Sequence, residues 1–303
     1  MSSEETLNQS TVGGNITDAV KKVLVINCAV NIPLAITSII GNLLVLHTVL
    51  KTPTLRSPSV VLLCGLALSD LAVGAVVQPF FISKDLITLS SQDQSLKTLF
   101  LRIYNSLAFY VCGISLLTIT AVCVDRLFAI QKPLRYPSFV TIPRVRCILV
   151  ALWITCAILV NAKFWNDTIF LLLVAVSICA CLFISAFSHV KIYKIVRDHK
   201  KRMQIQLEAV EKNTVDVQNN MSGLKTSALN VFIVFLALLA CYCPYFIVFV
   251  VTSVFPINVM LSRSLASTVV FINSALNPFL YCWRIYEIRE VVKQTCHNLV
   301  CCK

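Results

Sequence analysis

The feature that most constrains this chain is a series of long stretches without a charged residue: 23–50, 103–124, 168–187, 226–262 and 264–283. Two more lie at 57–83, interrupted only by Asp70, and at 147–162. A helix needs about 20 apolar residues to cross the hydrocarbon of a bilayer, where its backbone N–H and C=O groups must be satisfied internally. The run at 226–262 is too long for one crossing, and Phe255-Pro256-Ile257-Asn258 divides it. Seven helices follow, at about 23–50, 57–83, 98–130, 144–163, 168–196, 225–253 and 260–283. Composition agrees: 57% of the 303 residues are hydrophobic, 13% are charged and the mean hydropathy is +0.82. That is more apolar surface than a soluble domain of this length can hide. The predicted fold is an all-α membrane protein, a bundle of seven transmembrane helices.

An odd number of crossings puts the two ends on opposite sides, and basic residues assign the sides. With the N-terminus outside, the inner segments hold 19 of the 26 Lys and Arg and the outer segments 7. The acids divide 7 inside and 6 outside, with Asp70 in the membrane. The basic pI of about 9.1 is therefore a cytoplasmic asymmetry, and no nucleic-acid partner is needed to explain it. The polar segment 1–22 lacks the short apolar core of a signal peptide, so the first helix is expected to act as an uncleaved anchor. Within it, Asn8-Gln9-Ser10 and Asn15-Ile16-Thr17 read as glycosylation sites on an outer tail. None of the 14 cysteines falls in an outer loop, and packing inside helices is the expected role for most. Cys296, Cys301 and Cys302 cluster past the last helix, where palmitoylation would add a second lipid contact.

Ionisable groups deep in lipid are costly and mark function. Here the deep one is Asp70, in "LALSDLAVG". Asn42, Ser115, Asn273, Ser274 and Asn277 recur at similar depth. One carboxylate with amides and hydroxyls suits a small cation such as Na⁺, and equally a hydrogen-bonded network that only joins helices. Pro79, Pro244 and Pro278 interrupt helices 2, 6 and 7, and Pro244 stands in "CYCPYF" beside Tyr242 and Tyr245. The outer halves read as aromatic and uncharged: Phe80, Phe81, Tyr104, Phe109, Phe246, Phe249 and Phe271, with Gln78 and Asn105. Such a lining suits a small, weakly charged or lipid-like ligand, although aromatic stripes are more often ordinary packing. At the end of the run 103–124 an acid and a base stand side by side, Asp125 and Arg126.

In order along the chain stand Gly41-Asn42 with Val45, Leu66-Ala67 with Asp70, Asp125-Arg126, Trp153, Cys241-Tyr242-Cys243-Pro244 and Asn277-Pro278-Phe279-Leu280-Tyr281. This ordered set resembles the rhodopsin-like (class A) G-protein-coupled receptors. The stretch "RIYEIREVVKQTC" is similar to the family's amphipathic cytoplasmic eighth helix, so 284–303 would form that helix and a short tail. The resemblance implies a plasma-membrane receptor with its N-terminus outside and its C-terminus in the cytoplasm. It implies no enzyme activity and no cofactor beyond an allosteric Na⁺ at Asp70, Ser115, Asn273 and Asn277. Asp125 would hold Arg126 at rest. Activation would swing helix 6 outward and free Arg126 toward a heterotrimeric G protein and Tyr281, while Leu134 enters a notch on that G protein. Thr295 and Tyr286 are the hydroxyls past helix 7, so tail phosphorylation is expected to contribute little to arrestin recruitment.

The departures from the family pattern are informative. Leu127 stands for the usual Tyr, Tyr242 for the usual Trp, Leu224 for the helix 6 acid, Cys181 for the helix 5 proline and His189 for that helix's Tyr. Leu101 replaces the cysteine atop helix 3, and the short second outer loop has none. Together these resemble the branch holding melanocortin, lysophospholipid, cannabinoid and adenosine receptors. Ala108 occupies the amine-binding acid's position and Phe271 the retinal lysine's. Phe80, Leu101 and Asn105 replace the melanocortin receptors' acids, and Tyr104-Asn105 the lysophospholipid receptors' Arg-Glu pair. The small-molecule, lipid-like or peptide ligand therefore does not transfer with the family. The missing helix 6 acid raises a constitutively active or ligand-independent partner as an alternative. A transporter would need internal repeats, which are absent.

Overall fold

The computed structural model describes residues 18–53, 56–209, 236–252, 255, 260–284, 289, 290 and 293. The expected glycosylation sites, Leu224, the tail cysteines and most of the expected eighth helix lie outside the described residues. Among them the chain is almost wholly helical. We label the seven helices α1 Asp18–Lys51, α2 Pro58–Ser90, α3 Gln94–Gln131, α4 Ile142–Asn161, α5 Asp167–Ala209, α6 Leu236–Thr252 and α7 Met260–Arg284. Six are long and apolar enough to cross a membrane, and α6 is described over a shorter span. The fold is a seven-transmembrane bundle.

Central α3 packs on α2, α4 and α5, while α1 closes the other side against α2 and α7. Val45, Leu66, Leu116, Leu238, Tyr242, Val270 and Tyr281 meet in the core cluster that joins α1, α2, α3, α6 and α7. The rest of the apolar surface faces outward, including Ile26, Leu50, Ile158 and Phe183. α4 is the extreme case, with 11% of its apolar stretch buried inside the protein against 61% for α2. Lipid, not protein, is the solvent for that helix.

α2 departs from the expected single regular span in two ways. It runs on to Ser90, and Val73–Val77 forms a π-turn in which the Gln78 N–H reaches back to the Val73 carbonyl. Pro79 follows directly and has no N–H to continue the ladder. One extra residue in a turn rotates everything beyond it by about 100°. As a result Gln78, Phe81 and Asp85 are the buried face of the outer segment.

Glycine is required where α1 meets α7. A Cβ on Gly41 would lie 2.8 Å from Pro278 Cγ and 2.9 Å from its Cβ, atoms of a rigid ring. On Gly113 a Cβ would meet only the Cys156 sulfur, at 3.4 Å. Gly41→Ala should therefore force α1 and α7 apart and cost about 1–3 kcal/mol. Gly113→Ala should be tolerated. Thermal denaturation of the two purified variants in one detergent checks this; equal midpoints would contradict the close approach at Pro278.

Candidate functional site

Three polar layers run through the bundle. At the inner end, Asp125 is buried one residue before Arg126 on α3. Its Oδ2 accepts from Ser59 Oγ on α2 at 2.8 Å and pairs with Arg126 Nη2 at 3.2 Å. Its Oδ1 accepts from the Tyr136 hydroxyl at 2.8 Å. Tyr136 begins a one-turn helix, Tyr136–Phe139, after α3, and its ring lies against Phe128. Burial pushes the Tyr136 phenol upward from its ordinary pKa, keeping it protonated as a donor. The carboxylate is thus held by α2, by the following loop and by its neighbouring guanidinium together. Leu134, in the same loop, is 96% exposed. Ser59 and Tyr136 escaped the sequence reading because nothing in their spacing links positions 59, 125 and 136.

In the middle layer Asn277 Nδ2 donates to Asp70 Oδ2 at 2.7 Å, joining α7 to α2. Ser38 Oγ donates to the Asp70 carbonyl at 2.9 Å, and Asn42 Nδ2 donates to the Ser38 and Ser274 carbonyls at 2.8 and 3.2 Å. Ser115 Oγ donates to Ser69 Oγ at 2.9 Å. Asp70 Oδ1 and Asn42 Oδ1 are buried without a hydrogen-bond partner, although the Ser115 and Ser274 hydroxyls lie close to the Asp70 carboxyl. Of the expected polar residues, Asn42, Asp70, Ser115, Asn273, Ser274 and Asn277 are all nearly fully buried, and hydrogen bonds join Asp70 to Asn277 and Asn42 to the Ser274 carbonyl. Unpartnered oxygens in this layer fit a hard cation. Among the described residues, no three His, Cys, Asp or Glu side chains gather as a metal cluster.

The outer layer corrects the expectation of an uncharged half. Lys84 and Asp85 belong to α2, not to an outer loop. Asp85 is buried, with Oδ1 2.7 Å from Lys84 Nζ and Oδ2 accepting from Ser264 Oγ on α7 at 2.7 Å. Lys84 Nζ lies 4.8 Å from the ring centres of both Phe81 and Tyr104. Beside this pair Asn27, Asn31, Gln78 and Thr268 form a further network, and Tyr104 donates to Ser267 at 3.0 Å. The π-turn, invisible in residue types, is what turns this polar face inward.

Next to that layer lies a cavity of about 90 Å³ among α3, α4, α5, α6 and α7. Of the expected pocket residues, Ala108, Phe109, Tyr245 and Phe271 line it. Phe249 stands behind, 5.9 Å from Phe109 ring to ring. Gln78 and Phe81 are instead buried toward α1 and α7, and Asn105 is half-buried away from the cavity. Cys112, Cys156, Phe170, Val174, Ser177 and Cys181 are cavity residues that the sequence reading did not assign. Tyr242 lines its floor, and Pro244, two residues on, faces outward from α6.

Residues 41–164 match the family described as 7 transmembrane receptor (rhodopsin family). The chain is also 25% identical to melanocortin receptor 4 of Danio rerio, over 92% of this chain and 85% of the relative. With the histamine H2 receptor of Cavia porcellus it shares 29% identity over 89% and 78%, and with human melanocortin receptor 5 24% over 89% and 82%. The family match covers the end of α1 to the end of α4, while the three relatives align along 89–92% of the chain, the stretch that holds the Asp125–Arg126 and Asp70–Asn277 pairs.

These matches support a rhodopsin-like receptor. The chain is similar to G-protein-coupled receptors, and its resemblance to melanocortin receptors agrees with the branch read from helices 3 and 5. The histamine H2 relatives lie outside that expected branch. In this receptor, Tyr136→Phe removes one support of Asp125 while leaving its charge pair intact. Basal G-protein activation should rise about two- to fivefold, since one partly exposed charge-assisted hydrogen bond is lost. Asp125→Asn, which also removes the counter-charge of Arg126, should raise it further. Assays at matched surface expression check the order; a Tyr136→Phe signal equal to wild type would remove the loop from the restraint.

Proposed function

We propose that the receptor takes an extracellular ligand into the cavity around Ala108, Phe109, Tyr245 and Phe271, and activates a heterotrimeric G protein by releasing Arg126. The observation that carries this is the four-group cluster of Ser59, Asp125, Arg126 and Tyr136, which restrains the inner end of α3. Tyr242 couples the two ends, because it lines the cavity and belongs to the central core. A shift of α6 about Pro244 would move Tyr242 and open the inner face, exposing Arg126 beside Leu134. Tyr281, on the buried face of α7 just after Asn277-Pro278, would receive it. The excess of basic residues in the segments read as inner supports a plasma-membrane receptor with its N-terminus outside. Arrestin is a further partner of this reading.

The relatives' names carry histamine and melanocortins, and neither fits this cavity. No acid lines it, and Asp85 already has both oxygens engaged. We read the middle layer as the seat of an allosteric Na⁺, with Asp70 and Asn42 supplying oxygen and Ser115 and Ser274 beside them. Bound there, the cation would supply the positive charge that offsets Asp70, while Asn277, Ser38 and Asn42 hold α1, α2 and α7 together.

The first test is basal activation of each of the four G-protein classes, with Arg126→Ala beside wild type. A basal signal should appear in one class and fall to background in the variant; a signal that persists would remove Arg126 from coupling. For the cation, replacing choline chloride by sodium chloride at constant ionic strength should raise the thermal midpoint of the purified receptor. That rise should vanish in Asp70→Asn, and an equal rise in both proteins would reject the site.

A further inference from the structure

The cavity among α3, α4, α5, α6 and α7 is small, and among the described residues no Lys, Arg, Asp, Glu or His is one of its walls. A charged molecule would have to leave water there without a counter-ion. Lys84 and Asp85 stand outside it and neutralise each other at 2.7 Å. Size is the second limit. An apolar cavity of roughly 150 Å³ holds one benzene ring. At the same filling, about 90 Å³ holds roughly three to four non-hydrogen atoms. A lipid chain or a peptide side chain of any length exceeds that space.

Two walls carry a polar group that the protein itself does not use. Tyr242 and Tyr245 lie on α6 on either side of Pro244, and Tyr242 is 5% exposed. Among the described residues neither phenol oxygen has a hydrogen-bond partner. Tyr104, the third phenol of the cavity, differs, because its hydroxyl already donates to Ser267 at 3.0 Å. A buried tyrosine hydroxyl normally finds a partner, and leaving it dry is costly. The thiols of Cys112, Cys156 and Cys181 also face the cavity, but a thiol is only a weak acceptor. The two O–H groups are therefore open to an acceptor on a molecule that enters.

We propose that the ligand is an uncharged molecule of about four non-hydrogen atoms, apolar except for one acceptor oxygen that takes a hydrogen bond from Tyr242 or Tyr245. A short ketone typifies the class. This rests on the receptor reading above and names the ligand class for the same cavity. Phe109, Phe170 and Phe271 would enclose the apolar part. Both tyrosines belong to α6, so the hydrogen bond bears on the helix whose shift about Pro244 would open the inner face. Even the most efficient ligands of this size bind no tighter than about 40 µM. The receptor would then answer to an abundant solute and not to a scarce hormone.

The test uses the full-length receptor in detergent and ligand-observed saturation-transfer NMR, which detects weak binding and needs no G protein. Acetone, acetate and trimethylammonium are nearly equal in size and shape and differ in charge. Acetone should show saturable transfer, and the two ions none at the same concentration. Cyclohexanone carries the same carbonyl on a body too large for the space, and it should not displace acetone. Tyr242→Phe/Tyr245→Phe removes the two hydroxyls and keeps the rings, and it should weaken acetone binding about two- to tenfold. Ala108→Val, which fills the cavity from α3, should abolish it; thermal midpoints show that each variant is folded. Binding of either ion as strong as that of acetone, displacement by cyclohexanone, full binding in the filled variant, or no transfer to acetone would overturn the proposal. Full binding in the double phenylalanine variant would also overturn it, since the hydroxyls would then hold nothing. If acetone binds while basal signalling survives in Arg126→Ala, the coupling reading fails and the ligand class stands.

Discussion

The hydrogen bond from Asn277 to Asp70 is the interaction on which the bundle turns. In hydrocarbon no water is at hand to satisfy a carboxylate, so this acid can be held only by groups that other helices bring to it. Asn277 comes from α7, and Ser38 on α1 holds the backbone of the same residue. Asn42 then links α1 to the carbonyl of Ser274, closing a triangle of α1, α2 and α7. Gly41 allows that triangle to close, because Pro278 lies where a side chain would be. Each contact is modest by itself. Together they place α7, and hence Tyr281 and the outer serines Ser264 and Ser267, at fixed depth.

The same physics acts at each end with different partners. At the inner end a carboxylate is matched by a guanidinium that is one-third exposed, so that pair can be exchanged for a protein partner at little cost in desolvation. At the outer end Lys84 and Asp85 are both largely buried, so separating that pair would strand a charge away from water. The protein therefore keeps its more exposed charge pair at the inner end of the bundle and its more buried one at the outer end. Tyr242, touching both the cavity and the core, lies between them.

How much of this was legible in the sequence differs by layer. The seven crossings follow from uncharged length alone, because lipid enforces it residue by residue. Asp70, Asn277 and Asn42 stand out because polar groups in such runs are rare, and the structure does bring them together. The outer layer was misread for a definite reason. An unbroken α-helix from Pro58 would have given Lys84 and Asp85 a different facing, and the single π-turn at Val73–Val77 changes the register of all that follows. Val-Gly-Ala-Val-Val announces no such turn, and Pro79 marks only its neighbourhood. Ser59 and Tyr136 were hidden differently: each is an ordinary polar residue until the fold sets it beside Asp125.

The weak burial of α4 makes the bilayer itself a working part of this receptor. Its 20 residues span about 30 Å, equal to the hydrocarbon thickness with nothing to spare, whereas the 38 residues of α3 can tilt or protrude. Cys156, Leu159 and Val160 of this lightly held helix are also walls of the cavity. A thinner or thicker membrane would tilt α4 before any other helix and so reshape the cavity from its lipid side. The composition of the surrounding bilayer would then tune ligand affinity without any lipid binding at a defined site.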